Sequence, residues 1–484
     1  MMTNNIFITK LTLRILAIAC LLVRPLSMMA EKIEVDGICY EITPAYIARV
    51  VSGGNYSGKV VIPSHVTYKG RSCEVIAIDD YAFHECKELT SIEMPDGVLT
   101  IGRYVFYGSG LQSVVFGKNV RSIGEGSFGF CNDLVSIALP NSIKKVEVGL
   151  FADCQSLKFV SWGSGVTSIE ERAFEGCTSL EAITIPKNIY TISSMAFSGC
   201  SNLKTVTFEY SDGYDLRIKK GITANYFNNR VFSGCPIETV NLNRNITFEG
   251  EISPFEDIKS LKNVVIGDDL TTIGECMFRG CSNLSSVSFG KKIQEIGCCA
   301  FFNCKSLTSV DFPESLLTIS EYAFYGCSGL TSLTIGTDNN DFYYYSKYFV
   351  RNHAFDSCFG LKSLNIKNVS IIGEYAFSNC TAIEEIRTRS ENPPSIYSTS
   401  FDEETVRNAT LHVPVPSFSQ QSKYKTVVHW KDFFHIVVDL PSGINVIDNK
   451  TEDAGCIYDM QGRKVTTPKK NGIYIKNGKK FVVH

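Results

Sequence analysis

This sequence of 484 residues has no excess of charge of either sign, because 47 Lys and Arg stand against 50 Asp and Glu, a net charge of −3 at pH 7. Nucleic-acid-binding chains usually carry a basic patch or stripe, so this composition offers no electrostatic case for that partner. Only seven His are present, and no zinc-protease, nucleophile-elbow or phosphate-loop motif occurs. We therefore expect no nucleic-acid partner, no cofactor, no metal site and no enzymatic activity.

Long apolar runs are also lacking. The run Ile15–Val23 follows two basic residues and is too short to span a bilayer, which takes about 20 residues. With Ala30 as a small residue at a cleavage point, the pattern predicts a signal peptide over residues 1–30 and no transmembrane span in the mature chain. Cys20 weakly fits a bacterial lipobox, but the apolar run continues past it, so removal with the signal peptide is favoured over lipidation.

Phe and Cys, in contrast, are abundant and periodic. Phe recurs every 22 or 23 residues, usually with Cys three residues later, and two longer intervals measure 35 and 31 residues. The thirteen positions are Phe83, Phe106, Phe128, Phe151, Phe174, Phe197, Phe232, Phe255, Phe278, Phe301, Phe324, Phe355 and Phe377. Such a period predicts a solenoid, because no single repeat can bury its apolar residues without a stacked neighbour.

The repeat unit contains two short extended pieces. A Leu-x-x-Ile-x-Ile segment, as in Leu180–Ile185, ends in alternation and predicts a strand. Pro or Gly then turns the chain, and a second extended piece ending in Ile-Gly leads back to Ala-Phe. The predicted fold is a β-rich solenoid, a superhelix of about thirteen 23-residue coils with an N-terminal cap, a C-terminal cap and a small β tail.

Eleven Cys occupy the slot after the repeat Phe, while Ser109 and Ile258 fill the same slot elsewhere. Stacked equivalent side chains point in parallel, which is poor geometry for a disulfide, and one Cys per coil does not converge on a metal ion. We expect buried free thiols in the slot and leave open a Cys39–Cys73 pairing in the N-terminal cap.

The pattern Leu-x-x-Ile-x-Leu-Pro-x-x-Val-x-x-Ile-Gly-x-x-Ala-Phe-x-x-Cys resembles the BspA-type, or Treponema-type, leucine-rich repeat, as in Leu134–Cys154 and Leu307–Cys327. The resemblance covers about residues 60–400. It implies a curved parallel-β solenoid in a secreted or surface protein, frequently bacterial and of Bacteroidetes type, with family members acting as adhesins. The implied function is an extracellular or outer-membrane surface binding module, adhesin-like toward a host or neighbouring-cell protein or glycan. The alternative is a structural envelope spacer without a specific ligand.

The predicted domain order is a signal peptide at 1–30, an N-terminal cap at 31–81, the leucine-rich repeat solenoid at 82–400, a C-terminal cap at 401–440, and a linker and small β tail at 441–484. The tail resembles the short C-terminal segments of Bacteroidetes surface proteins that relate to secretion-sorting domains, with a plain β appendage as the alternative. His429 and His435 flank Trp430, and ordinary cap residues are favoured there over a catalytic or metal role. We expect a monomer.

The two long repeats supply the candidate binding site. In both, the extra residues follow the first strand, ending at Phe208 or Ile335, and precede the next repeat Phe. The candidate ligand-binding residues are Tyr210, Tyr214, Tyr226, Phe342, Tyr343, Tyr344, Tyr345 and Tyr348. Exposed aromatic side chains in loops are costly unless they bind a partner, and Tyr is enriched at recognition surfaces. The alternative, left open here, is that these rings fold back onto neighbouring coils.

Overall fold

The Leu-x-x-Ile-x-Ile segment of each coil forms a short strand, because its alternating apolar side chains can enter a core between stacked coils. A computed structural model describes residues 30–211, 213–219, 230–249, 253–338, 348–414, 423–439, 457–459, 464–466, 473–476 and 479–482. The chain divides into two units, Met1–Asp269 and Leu270–His484. Within each unit, successive coils contribute strands to two rows, one from the Leu-x-x-Ile-x-Ile segment and one from the Ile-Gly segment.

The strands of the first unit are β1 (Glu31–Val35), β2 (Ile38–Ile42), β3 (Ile47–Val50), β4 (Gly58–Val61), β5 (His65–Tyr68), β6 (Arg71–Ile78), β7 (Leu89–Glu93), β8 (Thr100–Ile101), β9 (Ser113–Val115), β10 (Ser122–Ile123), β11 (Ser136–Ala138), β12 (Lys145–Val146), β13 (Phe159–Ser161), β14 (Ser168–Ile169), β15 (Ala182–Ile185), β16 (Thr191–Ser193), β17 (Thr205–Phe208), β18 (Leu216–Lys219), β19 (Thr239–Leu242), β20 (Ile246–Phe248) and β21 (Asn263–Ile266).

The second unit contains β22 (Thr272–Ile273), β23 (Ser286–Ser288), β24 (Glu295–Ile296), β25 (Thr318–Ile319), β26 (Ser332–Ile335), β27 (Phe349–Val350), β28 (Ser363–Ile366), β29 (Ile371–Ile372), β30 (Glu385–Thr388), β31 (Ser395–Ile396), the helix α1 (Glu403–Asn408), β32 (Thr410–Pro414), two 3₁₀ turns (Lys423–Lys425 and Trp430–Asp432), β33 (His435–Asp439), β34 (Ile457–Tyr458), β35 (Lys464–Val465), β36 (Ile473–Lys476) and β37 (Lys479–Val482).

The strands of both rows pair in parallel with a fixed register. In the first unit, β15, β17, β19 and β21 place Ile183, Val206, Val240 and Val264 at one register position, and all four side chains are buried. At the N-terminus, β1, β2 and β3 pair antiparallel before the parallel pairing begins at β6. The β-rich solenoid predicted from the repeat is thus confirmed. In the tail, β34–β37 form a small antiparallel sheet.

The turn around most of the repeat Phe residues has two residues in the left-handed region, two positions before and two positions after the ring. Around Phe174 these are Arg172 (φ 58°) and Gly176 (φ 70°), and eleven of the thirteen coils contain the pair. Non-glycine residues adopt this unfavourable conformation only where surrounding structure enforces it. Here the enforcement comes from the neighbouring coils, since the amide of Phe174 donates to the carbonyl of Ala196 at 2.8 Å.

The repeat Phe rings form a stack along the core of each unit. From Phe83 to Phe255, neighbouring ring centroids lie 5.1 to 5.6 Å apart with nearly parallel planes. In the second unit the stack runs from Phe278 to Phe377 and then continues to Phe401, whose ring lies 5.3 Å from that of Phe377. Phe401 was not predicted as a repeat position, because Glu404 of helix α1 stands where the other coils carry Cys, Ser or Ile.

The slot cysteines are hydrogen-bond donors and not only small fillers. Nine of the slot thiols donate to the carbonyl of the repeat Phe in the preceding coil, as Cys177 does to Phe151 at 3.2 Å. Burial raises the pKa of Cys131 to about 12. All sixteen cysteines among the described residues are free thiols, including Cys39 and Cys73. The parallel arrangement predicted from the sequence is therefore present, with a donor role that the sequence did not indicate.

Replacing Phe174 by Ala should lower the free energy of unfolding by about 3–5 kcal/mol, because the change removes a fully buried ring and leaves a cavity between two coils. Guanidinium denaturation followed by circular dichroism measures it. The matched control is Phe159→Ala, where the ring is 67 % exposed and the loss should stay within about 0.5 kcal/mol. Equal losses for the two variants would contradict the stacked core.

Candidate binding surface

The first long repeat displays two of the predicted tyrosines. The chain leaves β17 at Phe208 and begins β18 at Leu216, and Tyr210 and Tyr214 lie between them. Their side chains are 48 % and 64 % exposed, and the ring of Tyr214 packs on Tyr190 with centroids 5.2 Å apart. The structure therefore brings Tyr214 together with an exposed ring of the preceding coil, which was not among the predicted residues.

The buried side chain of Arg244 donates hydrogen bonds to the backbone just before Tyr190. Its side chain is 3 % exposed, and Nη1 donates to the carbonyls of Ile189 at 2.8 Å and Lys187 at 3.3 Å. Burial lowers the pKa of Arg244 to about 10, so the guanidinium remains charged at neutral pH. Both carbonyls belong to the segment that leads into Tyr190, which places Arg244 under the exposed tyrosine pair.

Arg244 was not predicted, although the sequence contains a signal for it. Asn188 and Ser142 donate to the carbonyls of Val166 and Val120 in their preceding coils. Arg244 makes the same kind of bond with a longer side chain and so reaches past the inserted segment. An Arg at the position where other coils carry Asn or Ser therefore indicates that the carbonyl it binds lies farther away than in a regular coil.

In the second long repeat, one of the residues predicted to be exposed is buried. Tyr348 is 2 % exposed, and its burial raises the pKa of the hydroxyl. The backbone explains the position, because Tyr348 immediately precedes β27 and its carbonyl accepts from the amide of Ser370 at 2.9 Å. The exposed position predicted for Tyr348 is therefore wrong, and its ring packs inward, which was the alternative for these aromatic residues. Tyr226, Phe342, Tyr343, Tyr344 and Tyr345 lie outside the described residues.

A polar groove opens at the base of the second long repeat. Its volume is about 330 Å³, and it is lined by Val310, Asp311, Phe312, Thr334, Gly336, Asn365, Lys367 and Arg389. Gly336 has φ +88°, and a Cβ there would meet Val369 at 2.9 Å, so glycine is required where the chain leaves β26. The groove offers hydrogen-bond donors, acceptors and charges of both signs within one concave surface.

An ion-pair network lies along this groove. Lys367 Nζ lies 2.7 Å from Asp338 Oδ2 and 3.5 Å from Glu314 Oε1, and Arg389 Nη1 lies 3.8 Å from Asp338 Oδ1. The hydrogen bond to Lys367 lowers the pKa of Asp338, and the same bond raises the pKa of Lys367. Both groups are therefore charged at neutral pH and hold the departing segment against the neighbouring coil.

A second hollow, of about 290 Å³, lies among the residues that follow β31. It is lined by Ile396, Tyr397, Ser398, Phe401, Glu403, Val406, Arg407, His429, Asp432, Phe433 and Phe434. His429 Nδ1 lies 3.8 Å from Asp432 Oδ2, beyond hydrogen-bond distance. His435 begins β33 with an exposed side chain, whereas Trp430 is buried and donates to the carbonyl of Pro394 at 2.7 Å.

Stacked coils with a strand from a Leu-x-x-Ile-x-Ile segment and a core of repeat Phe define a leucine-rich repeat solenoid. The family described as BspA type Leucine rich repeat region matches residues 69–180, 130–252, 251–350 and 348–428, with six copies. The chain belongs to this family. The comparison with curated proteins gave no match. Within the described residues, no helix is both long and apolar enough to cross a membrane.

Several solved structures are similar to this chain. A leucine-rich repeat protein from Bacteroides ovatus is 24 % identical, covering 74 % of this chain and 100 % of its own, with a TM-score of 0.39. A leucine rich cell surface protein from Faecalibacterium prausnitzii is 25 % identical over 75 % and 96 % of the two chains, with a TM-score of 0.33. The pneumococcal vaccine antigen PcpA is 20 % identical over 86 % and 100 %, with a TM-score of 0.37. Because these TM-scores lie below 0.5, the family assignment depends on the repeat sequence.

The different burial of two predicted tyrosines can be measured. Tyr348→Ala should lower the free energy of unfolding by about 3 kcal/mol or more, because it empties a buried site. Tyr214→Ala, at an exposed ring, should change it by less than about 1 kcal/mol. Chemical denaturation of the two variants beside the parent protein gives both values. A stable Tyr348→Ala variant would return this residue to the set of exposed candidates.

Proposed function

We propose that this chain is a secreted or cell-surface leucine-rich repeat protein that acts as a binding module, adhesin-like toward a host or neighbouring-cell protein or glycan. The observation that carries the proposal is the pair of long repeats, which depart from an otherwise regular array. The first displays Tyr210 and Tyr214, and the second borders a polar groove of about 330 Å³. A ligand that docks at one place along the array needs such departures, because identical coils offer the same surface repeatedly.

The aromatic residues of the two long repeats are the proposed ligand contacts, with Tyr348 removed. In the first, the exposed rings of Tyr210 and Tyr214 offer large apolar area with a polar tip, a combination enriched at recognition surfaces. In the second, the groove contributes Asn365, Lys367 and Arg389 as polar and charged contacts. We propose no catalytic step, because proteins of this solenoid family are typically non-catalytic.

Export and placement complete the proposal. Residues 1–30 would direct secretion and be removed, and the tail after residue 440 would serve surface sorting or anchoring. The strands β34–β37 form an antiparallel sheet. That pairing differs from the parallel pairing of the coils, and a separate module is compatible with a placement role.

The alternative is a structural envelope spacer. The even spacing of the Phe rings favours it, since the stack continues across the long repeats at 5.6 Å between Phe197 and Phe232 and at 5.2 Å between Phe324 and Phe355. A spacer, however, gains nothing from two aromatic-rich interruptions. Binding measurements separate the two functions directly.

The test uses the chain without residues 1–30 against immobilised fibronectin, laminin and fibrinogen and a mammalian glycan array. We expect binding to at least one probe, and a loss of affinity of about tenfold or more in Tyr210→Ser/Tyr214→Ser or in Tyr343→Ser/Tyr344→Ser/Tyr345→Ser. Tyr397→Ser is the matched control, because that ring is 47 % exposed but lies outside the long repeats.

Two outcomes would contradict the proposal. No binding to any probe would favour the spacer, and full binding by both tyrosine variants would place the contacts outside the long repeats. Thermal melting of each variant, followed by circular dichroism, separates a lost contact from a lost fold.

A further inference from the structure

One face of the first unit carries no charge over seven consecutive coils. Each strand of the first row from β9 to β21 points two side chains outward, and none of these fourteen is buried. They are Ser113, Val115, Ser136, Ala138, Phe159, Ser161, Ala182, Thr184, Thr205, Thr207, Thr239, Asn241, Asn263 and Val265. We call this surface the neutral face.

The lack of charge is specific to these positions. The chain is 20 % charged, so fourteen positions drawn without preference would carry about three charges (0.20 × 14). The residue just before the outward pair is charged in five successive coils, at Lys158, Glu181, Lys204, Glu238 and Lys262. Lys262 and Glu238 there form an ion pair at 2.9 Å. A charged row thus borders the neutral face, and the boundary between them is sharp.

The chemistry of the neutral face combines hydroxyl groups with exposed apolar side chains. Seven of the fourteen residues are Ser or Thr and two are Asn, and each side chain offers both donors and acceptors. Asn241 Nδ2 donates to Thr207 Oγ1 at 3.0 Å, so neighbouring coils align these groups in rows. Phe159 and Val115 add apolar area at 67 % and 56 % exposure.

The spacing of the rows favours a ligand that repeats. Adjacent parallel strands lie about 4.8 Å apart, so seven coils present rows about 29 Å long (6 × 4.8 Å). Equivalent side chains, such as Ala182, Thr205, Thr239 and Asn263, follow one another in strict register. A polymer of similar units can therefore make the same contact several times along the face, and weak contacts add up to useful affinity.

We propose that the neutral face binds an uncharged polysaccharide chain running along the stack of coils. Sugar hydroxyls match the Ser, Thr and Asn side chains, and the C–H faces of sugar rings match Phe159 and the exposed valines. Recognition of acidic glycans and nucleic acids depends on Lys and Arg. None of the fourteen positions is Lys or Arg, and the three Lys of the bordering row alternate with Glu181 and Glu238. The residues that dominate protein–protein interfaces are Trp, Tyr and Arg, and none of the fourteen is one of these.

Affinity electrophoresis of residues 31–484 in native gels tests the proposal. The gels contain laminarin, hydroxyethyl cellulose or yeast mannan as neutral probes and heparin as the anionic comparator. We expect at least one neutral polymer to retard the protein, with an affinity that stays constant within about twofold between ~50 and ~500 mM NaCl. Heparin should not retard it.

Variants locate the site. Thr205→Asp and Phe159→Ala should each weaken retardation by about tenfold or more, whereas Lys158→Ala in the charged row should stay within about twofold. Thermal melting confirms that each variant folds, and Ser161→Lys, at another exposed position, replaces any that does not.

Several results would overturn the proposal. These are no retardation by any neutral polymer, retardation by heparin alone that salt abolishes, and full retardation of the neutral-face variants. Concentration-dependent self-association that Thr205→Asp abolishes would make a second copy of the chain the occupant and would also overturn it. The neutral face shares no residue with the tyrosines of the long repeats, so this proposal can fail while the proposed function stands.

Discussion

The stacked phenylalanine is the interaction on which the rest of this structure depends. Phe151 shows its three parts, because its amide donates to Ala173, its carbonyl accepts from the thiol of Cys177, and its ring packs 5.3 Å from that of Phe174. Each coil is thereby joined to the next through backbone, side chain and core at one residue. Left-handed residues on both sides of the ring accompany this arrangement in eleven of the thirteen coils.

Because the stacked rings stabilise the fold, residues outside the stack can vary to serve binding. The ring stack passes both long repeats without a gap, so these coils accommodate their extra residues without disturbing the core. Outward strand positions are equally free, because their side chains do not enter the stack. Tyr214 on the first long repeat, the groove beside Lys367, and the neutral face around Phe159 are three uses of that freedom.

The features that recur in every coil could be predicted from the sequence, whereas features that occur in one coil only were harder to predict. Thirteen copies made the strand, the turn and the slot visible, and buried thiols followed from Ser109 and Ile258 in the same slot. Phe401 was not identified because Glu404 stands in its slot, where the other coils carry Cys, Ser or Ile, although its ring extends the stack. Tyr348 was predicted to be exposed because a run of aromatic residues does not show which ring faces inward. The buried ring is the one directly before β27. The neutral face needs the register of several strands before its lack of charge becomes visible.

A double-mutant cycle on adjacent rings shows whether the stacked phenylalanines stabilise one another. The free energies of unfolding of Phe151→Leu, Phe174→Leu and the double variant give the coupling between the two rings, and Phe106 with Phe174 is the control pair, separated by two coils. The account predicts a coupling of about 0.5 kcal/mol or more for the adjacent pair and additivity within about 0.3 kcal/mol for the control pair. Additive losses in the adjacent pair would contradict a core held together by stacked phenylalanines.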